Sequence, residues 1–299
     1  MKLIRPLAIN DAALVSSSIA EDDYTPYNAG TTYTIGDRVR VVASDVHLVY
    51  EALQSANTGN TPATSPTWWV EVGATNRWAM FDASNTSQTT AAESITITLI
   101  AAGRIDSVAL LNLSAASARI VQSDVTDGVV YDKTFDLTSS GGITDWYRYF
   151  MEPIIRKSEL VVSDLLPYAN STITITINSP AGISACGACV LGLSRDIGTS
   201  QAGARVGIDD YSLKTRDQFG TYSIVERSFS KRCSFDIVIY AEMVDEARRI
   251  LAEYRATPIV YIGSNSYSSA VVFGFYKDFS IVIQYASFSI CSIEIEGLT

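Results

Sequence analysis

SITITLIAA (94–102) and STITITIN (171–178) alternate large aliphatic residues with threonine at every second position. SFDIVIYA (234–241) and FSICSIEIEGL (288–298) follow the same period. Because successive side chains of a strand point to opposite faces of a sheet, this period indicates antiparallel strands with one buried face. Turn signals rich in glycine, serine and proline separate the strands. We therefore predict a mainly β protein.

One segment, about 242–255, has the period of a helix instead. Its apolar residues fall on one stripe, while Glu and Arg occupy the rest of the surface. The stripe consists of Met243, Ala247, Ile250, Leu251 and Tyr254. Asp245 and Arg249 stand four residues apart and are predicted to form an ion pair. Since strands flank this helix on both sides in sequence, we expect it to pack on a sheet.

Composition limits the function. The 299 residues are 47% hydrophobic and 18% charged, which suffices for two or three packed domains. The net charge of −10 disfavours nucleic-acid phosphates as a partner. No apolar run approaches the roughly 20 residues of a membrane span. Pro6, Asn10 and Asp11 interrupt the N-terminal stretch, so we expect mature sequence made in the cytoplasm rather than a signal peptide.

Catalytic chemistry has few candidates here. There is one histidine, so an enzyme would have to rely on carboxylates. Cys186 and Cys189 have C-x-x-C spacing, but all four cysteines lie in apolar strand-like sequence and are expected to be core residues. We expect no catalytic residues, no metal and no cofactor. The alternative, a hydrolase, would use carboxylate pairs such as Asp22 with Asp23, Asp209 with Asp210, or Asp145 with Glu152.

Composition shifts divide the chain into four parts. We predict an N-terminal strand or arm that joins a sandwich, a small module, the β-sandwich itself, and a C-terminal β-barrel with the helix at 242–255. Their boundaries are 1–23, 24–73, 74–204 and 205–299. The Gly/Ser-rich stretch RDIGTSQAGARVG (195–207) connects the last two parts.

The module carries a motif with a fixed order. It reads YTIGDRV (33–39), VYEA (49–52), NTGNTP (57–62) and SPTWWVEVG (65–73). This order resembles the chitin-binding-type carbohydrate-binding modules of families five and twelve. The resemblance implies binding of polysaccharide by stacking of sugar rings on exposed aromatic side chains. The candidate carbohydrate-binding residues are Trp68, Trp69, Tyr27 and Tyr33.

Neighbouring residues of a strand face opposite sides, so one of Trp68 and Trp69 is predicted to join Tyr50 in the module core. The other is then free to present its ring. The alternative is that all these aromatics pack the small module or contact a neighbouring subunit. His47 is expected to be a surface or cross-strand residue.

The middle part resembles galactose-binding-like β-sandwiches at NRWAMFD (76–82) and at 143–165. In the second stretch we expect Trp146 and Phe150 to anchor the core. The alternative is that Trp146, Tyr147, Tyr149 and Phe150 form a binding strip.

The C-terminal part resembles the ring-forming β-barrel of siphophage distal tail proteins. That resemblance depends on the order of elements: a strand, the helix, PIVYIG (258–263) and a closing strand that ends EIEGL. The order of all four parts resembles tail proteins of Mu-like siphophages. AVVFGF (270–275) is expected to be an apolar edge strand that sister copies cover in a ring.

Together these features predict a structural protein of a phage tail tip or baseplate, located in the virion. Its expected partners are copies of itself, tail-tube and tail-tip proteins, and host-surface polysaccharide. A free carbohydrate-binding adhesin and a polysaccharide-degrading tail enzyme are the alternatives.

Overall fold

The protein is mainly β, as the sequence predicts. The computed structural model describes residues 1–100, 103–139, 145–264, 267–283 and 285–298. Within them, no helix has the length and apolar composition to cross a membrane.

The strands up to residue 200 are β1 (Lys2–Ile4), β2 (Leu14–Ser17), β3 (Arg38–Ala43), β4 (Val46–Ala52), β5 (Trp69–Ala74), β6 (Thr89–Ile100), β7 (Ser107–Ser114), β8 (Ser117–Asp124), β9 (Gly128–Asp136), β10 (Glu159–Val162), β11 (Thr172–Gly192), β12 (Ser194–Asp196) and β13 (Thr199–Ser200). The later strands are β14 (Arg205–Asp210), β15 (Leu213–Arg216), β16 (Tyr222–Val225), β17 (Phe229–Tyr240), β18 (Ile259–Ile262), β19 (Val271–Val282) and β20 (Phe288–Gly297). The α-helices are α1 (Trp146–Met151) and α2 (Val244–Glu253), and short 3-10 turns span Pro62–Thr64, Ala79–Phe81, Ala241–Met243 and Ser268–Ala270.

A seven-stranded sheet is organised around the long strand β11. The first half of β11 pairs with β6 and β8, and its second half pairs with β7. The register shifts between Asn178 and Ile183, so the strand bends there and serves both halves of the sheet. The predicted alternation is confirmed, because the six aliphatic residues that alternate with threonine are fully buried: Ile95, Ile97, Leu99, Ile173, Ile175 and Ile177.

The eight-stranded sheet runs in the order β12, β1, β18, β19, β20, β17 and β13, with β14 beside β17. Only Ile197 and Gly198 separate β12 from β13, so one continuous segment forms both ends of this order and the sheet curls back on itself. Gly198 has φ +138°, and a Cβ there would lie 2.4 Å from the Val238 carbonyl oxygen. This closure therefore depends on glycine.

Helix α2 packs on the core of this sheet as its stripe predicts. Ala247, Ile250, Leu251 and Tyr254 are buried. Met243 is not part of the buried stripe, because it lies in the 3-10 turn before the helix and is 41% exposed. The predicted Asp245–Arg249 pair is wrong, since the Arg249 guanidinium lies 2.6 Å from Glu246.

The N-terminal arm reaches both large sheets rather than the sandwich alone. β2 pairs with β6, whereas β1 pairs with β18 and β12 in the eight-stranded sheet. Leu3 and Ile4 point to opposite faces of β1. Leu3 therefore packs in the core under α2, and Ile4 packs in an apolar cluster between the two sheets. That cluster joins the outer faces of β7 and β11 to those of β18 and β19.

The expectation that AVVFGF (270–275) is an edge strand is wrong. β19 lies inside the sheet, paired with β18 on one side and β20 on the other. The segment is a continuous apolar run with both faces buried: Val272 packs in the core under α2, whereas Val271 and Phe273 pack in the cluster between the two sheets. Such a run indicates burial, but it does not identify the strands that pair with it. The neighbouring backbone is so close that a Cβ on Gly274 would collide with the Glu296 carbonyl oxygen.

Two smaller sheets stand apart from the large ones. The module contains the three-stranded sheet β3–β4–β5. Strands β15 and β16 form a two-stranded sheet that continues the β14–β17 hairpin. We call residues 211–228 the ribbon.

Candidate functional site

The aromatic residues of the module come together, but mainly as each other's packing partners. Tyr33 and Trp69 are buried, with ring centroids 5.1 Å apart. The Tyr27 ring stacks on Tyr33 at 6.0 Å and meets Trp69 edge-on at 5.9 Å. The prediction that Tyr50 and one of the two tryptophans are core residues is confirmed.

Local hydrogen bonds fix the two buried rings. The Trp69 indole Nε1 donates to the Asn60 carbonyl oxygen at 2.9 Å. The Tyr33 hydroxyl accepts from the Asn28 backbone N–H at 2.8 Å. Both polar groups are thus satisfied inside the module. Tyr33 and Trp69 are therefore core residues, which leaves their ring faces unavailable for a sugar.

Tyr27 and Trp68 are half-buried and pack against this core from outside. Residues 25–27 run beside β3, where the Tyr27 N–H donates to the Arg40 carbonyl oxygen. Tyr27 borders a cleft of about 320 Å³ that Glu21, Pro26, Arg40, Val41 and Val42 also line. The cleft combines one aromatic ring, one carboxylate and one guanidinium. A saccharide bound in this cleft would contact both a ring and polar groups.

Glu21 and Arg40 could not be identified from the sequence. Glu21 lies outside the 24–73 segment that carries the motif. Arg40 directly follows the YTIGDRV (33–39) stretch and has no distinguishing feature beyond its place in a strand. They meet because the chain before the module folds back along β3, which no local pattern indicates.

His47 connects the module to the rest of the chain. Its Nδ1 lies 2.8 Å from Glu21 Oε1, and its Nε2 lies 2.8 Å from Asp11 Oδ1. The imidazole also stacks on the Trp78 indole at 4.2 Å, with an interplanar angle of 14°. Asp11 accepts in addition from the Asp45 N–H, and this bond together with His47 lowers the pKa of the Asp11 carboxyl. His47 is a cross-strand residue of β4, but its role is to hold the module on the arm and on the sandwich.

The expected core anchors at 146–150 are wrong. Trp146 is 77% exposed and Phe150 is 74% exposed, both in the short helix α1, which buries none of its residues. We call residues 145–155 the aromatic segment, because Tyr147, Tyr149 and Met151 are exposed there too. Residues 143 and 144 of the predicted strand lie outside the described residues. The spacing of these aromatic residues along the chain does not indicate whether another strand or helix packs against them.

The cysteines are buried in the core, and the candidate carboxylates form ion pairs with basic side chains. All four cysteines are buried and free, and burial raises the pKa of the Cys186 thiol to about 12. Asp210 lies 2.6 Å from Lys214, which holds the pKa of that carboxyl well below its usual range. Asp209 lies 3.2 Å from Arg232, and Asp145 and Glu152 both flank Arg148. Within the described residues, no group of three or more His, Cys, Asp or Glu side chains is arranged to hold a metal ion.

Comparison with family models, curated proteins and solved structures finds no match to this chain. Its function therefore has to be inferred from its own surfaces.

Proposed function

We propose that the chain is a non-catalytic structural subunit of a tailed-phage tail tip. It joins copies of itself, forms or lines a ring with other tail-tip and tail-tube proteins, and contacts host-surface glycans through its module. It is synthesised in the host cytoplasm and is then incorporated into the virion. The observation that supports this proposal best is the ribbon.

Every residue of β15 and β16 is exposed. Apolar side chains lie on both faces of the ribbon, and Phe219 at its tip is 86% exposed. The others are Tyr211, Leu213, Tyr222, Ile224 and Val225. A two-stranded sheet with no packing partner is marginally stable in water. The exposed apolar side chains of the ribbon therefore favour a role in which another subunit covers it in an assembly.

The ribbon is also anchored firmly at its base. The Tyr211 hydroxyl contacts Ser230 and Glu296, each at 3.0 Å, and the Arg227 N–H donates to Ser212 Oγ. At the tip, Asp217 accepts from the N–H groups of Phe219 and Thr221. These bonds make the ribbon an ordered projection that can meet a partner without first folding.

Charge favours a sister copy as that partner. The ribbon carries three basic side chains, Lys214, Arg216 and Arg227, against the two acidic ones, Asp217 and Glu226. The whole chain has 22 basic and 32 acidic residues. A slightly basic projection on a strongly acidic chain is attracted to the surface of another copy.

Native mass spectrometry with negative-stain imaging tests the proposal. We expect closed oligomers of the wild-type chain, and monomers when Tyr222 and Ile224 are both changed to Ser. Val125→Ser, which removes an almost fully exposed apolar residue from a turn of the sandwich, serves as the control and should leave the oligomer intact. A wild-type chain that remains monomeric, alone and with phage tail extracts, would contradict the proposal.

The cleft beside Tyr27 supports the glycan contact. We expect the wild-type chain to be retained on insoluble bacterial-surface polysaccharide, and Tyr27→Ala to reduce retention while Tyr240→Ala does not. A monomer with full glycan retention favours the free adhesin instead. Release of sugar from the polysaccharide that stops after a single Asp or Glu substitution favours the tail enzyme.

A further inference from the structure

His47 is the only histidine of the chain, and both of its ring nitrogens face carboxylates. Nδ1 lies 2.8 Å from Glu21 Oε1, and Nε2 lies 2.8 Å from Asp11 Oδ1. The side chain is only 10% exposed, so the ring is largely shielded from water. Asp11 belongs to the N-terminal arm, and Glu21 belongs to the segment just before the module. The ring therefore joins β4 of the module to two places outside it.

This geometry requires the charged form of the ring. An ionised carboxylate only accepts hydrogen bonds, whereas a neutral imidazole has one N–H donor and one acceptor nitrogen. A neutral His47 can donate to Glu21 or to Asp11, but its other nitrogen would then face a carboxylate oxygen with no proton between them. The imidazolium donates to both. The two contacts therefore exist together only while the ring carries two protons.

On one side of the ring, Glu21 has the partners of an ionised carboxylate. Its Oε1 also accepts from the Thr75 hydroxyl at 2.8 Å, and its Oε2 lies 3.9 Å from Arg77 Nη1. Arg40 lines the same cleft as Glu21, and the nearby Asp23 accepts from a backbone N–H of the turn that follows β5. Both oxygens of Glu21 thus face donors and have no proton to give to the ring.

On the other side, Asp11 is bound to the turn between β3 and β4. The Asp45 N–H donates to Asp11 Oδ2 at 3.0 Å, and the Asp11 N–H donates to Asp45 Oδ1 at 3.1 Å. The first of these bonds, together with His47, holds the pKa of the Asp11 carboxyl below its usual range. Asp11 is therefore ionised above about pH 4 and cannot supply the missing proton either.

The Trp78 indole adds a further preference for the cation. It stacks on the imidazole with ring centroids 4.2 Å apart and an interplanar angle of 14°. The face of an indole carries negative potential and attracts a cation placed over it. Since Trp78 lies outside the 24–73 segment, this contact also crosses from the module to the rest of the chain. Loss of the proton from His47 weakens it as well.

We propose that His47 is a pH-sensitive joint, which fastens the module to the arm and the sandwich as an imidazolium and loosens when the ring loses its proton. The attached state binds this proton more tightly than the detached state. Attachment is therefore complete below the ordinary histidine value of about 6.5 and weakens as the pH rises above it. At the acid end, the joint is lost only below about pH 4, where Asp11 gains a proton.

Hydrogen exchange of the full chain, measured by mass spectrometry, tests this joint without any ligand. Dividing each exchange rate by the unstructured rate at the same pH gives a protection factor. We expect protection of the Asp45 and Thr75 amides, which donate to Asp11 and to the His47 carbonyl oxygen, to fall about tenfold from pH 6 to pH 9. The Leu53 amide, which donates to Trp68 inside the module, should keep its protection.

Two substitutions identify the proton. In Asp11→Asn, the amide nitrogen can donate to a neutral ring while the amide oxygen still accepts from Asp45, so the pH response should be much smaller than in the wild type. His47→Gln should abolish the response and leave low protection at both pH values. Asp132→Asn is the matched control, because it breaks an exposed ion pair with Arg119 on the sandwich, and it should respond like the wild type.

The α-amino group and the thiols, which titrate nearest to this range, lie away from the joint. The Met1 amino group, whose pKa is lowered by burial, contacts the Gly198 carbonyl oxygen in the eight-stranded sheet. Burial raises the pKa of all four thiols.

Three results would overturn the proposal. The first is equal protection of the wild type at pH 6 and pH 9, and the second is a fall that persists in His47→Gln or remains complete in Asp11→Asn. The third is an equal fall at Leu53, because the module would then unfold rather than detach. Glu21 also lines the cleft beside Tyr27, but the exchange measurement does not depend on the proposed glycan contact.

Discussion

The module core and the aromatic segment use the same kinds of side chain in opposite ways. In the module, Tyr27, Tyr33 and Trp69 pack against one another, and the Trp69 indole is only 2% exposed. In the aromatic segment, Trp146, Tyr149 and Phe150 also touch one another at 5.2–6.4 Å, yet each remains more than half exposed. The rings contact one another in both regions, but only those of the module are buried.

The difference lies in what encloses each cluster. The module is about 50 residues long and has few aliphatic side chains for a core, so its rings must supply much of the buried area. Its three strands and the flanking loop close around them. α1 has no facing strand or helix within the described residues that would bury it. An aromatic cluster thus stabilises the fold only when the topology supplies a second surface.

Trp69→Ala is the change that tests this contrast most strongly. It removes a buried indole and its hydrogen bond to Asn60, so we expect it to destabilise the module by about 3–5 kcal/mol. Protease cleavage within 24–73, followed by mass spectrometry, measures the loss. Polysaccharide retention should fall as well, but because the module unfolds rather than because a contact is lost.

Trp146→Ala is the matched change in the other region. With no buried contacts to lose, it should alter the free energy of unfolding by no more than about 0.5 kcal/mol. Similar losses of stability in the two variants would mean that an unseen surface covers the aromatic segment in solution.

Sequence periodicity predicted where strands and helices lie better than it predicted which strands pair with one another. Ile95 and Ile175 are buried and Thr98 faces Thr174 across the sheet, because alternation fixes which face of a strand is apolar. The same signal could not place β19 inside a sheet, nor β1 in the C-terminal one. β1 pairs with strands more than 150 residues away along the chain, as Lys2 does with Ile262. The interior position of β19 depends on the order of strands in the sheet, since both β18 and β20 pair with it.

The site was harder to predict than the fold, for a related reason. The resemblance to carbohydrate-binding modules gave Tyr27, Tyr33, Trp68 and Trp69 as the candidate residues. Whether a ring is buried depends on the segments that cross over it, and Arg40 and Glu21 join Tyr27 only through such a crossing. A sequence of one chain gives residue types, whereas a binding site needs their exposure.

A change at His47 has the next largest expected effect. The side chain contacts two carboxylates and stacks on Trp78, so His47→Ala should reduce the free energy of unfolding by about 2–3 kcal/mol. We expect cleavage between residues 11 and 47 in limited proteolysis, because the module loses its attachment while its own core persists.

His47→Gln sharpens this test. Its amide can donate to one of the two carboxylates, so it should recover part of the lost protection. If both variants resist protease like the wild type, other contacts, such as those between Asp11 and Asp45, hold the module, and His47 contributes little.

A local effect is expected at the turn that positions Tyr33 beside Trp69. The Asp37 carboxylate accepts from the Thr34 backbone N–H at 2.7 Å and from its hydroxyl at 2.9 Å, and these bonds lower the pKa of Asp37. A lowered pKa means that the contribution is present above the unfolded value of about 3.9 and is lost as the pH falls through the folded pKa. Exchange of the Thr34 amide, relative to its unstructured rate, should therefore accelerate below about pH 4. In Asp37→Asn the exchange should be faster than in the wild type at neutral pH and show no such transition. A transition that survives the substitution would assign it to another carboxyl group, and the turn would then owe its geometry to Gly36 and the strands alone.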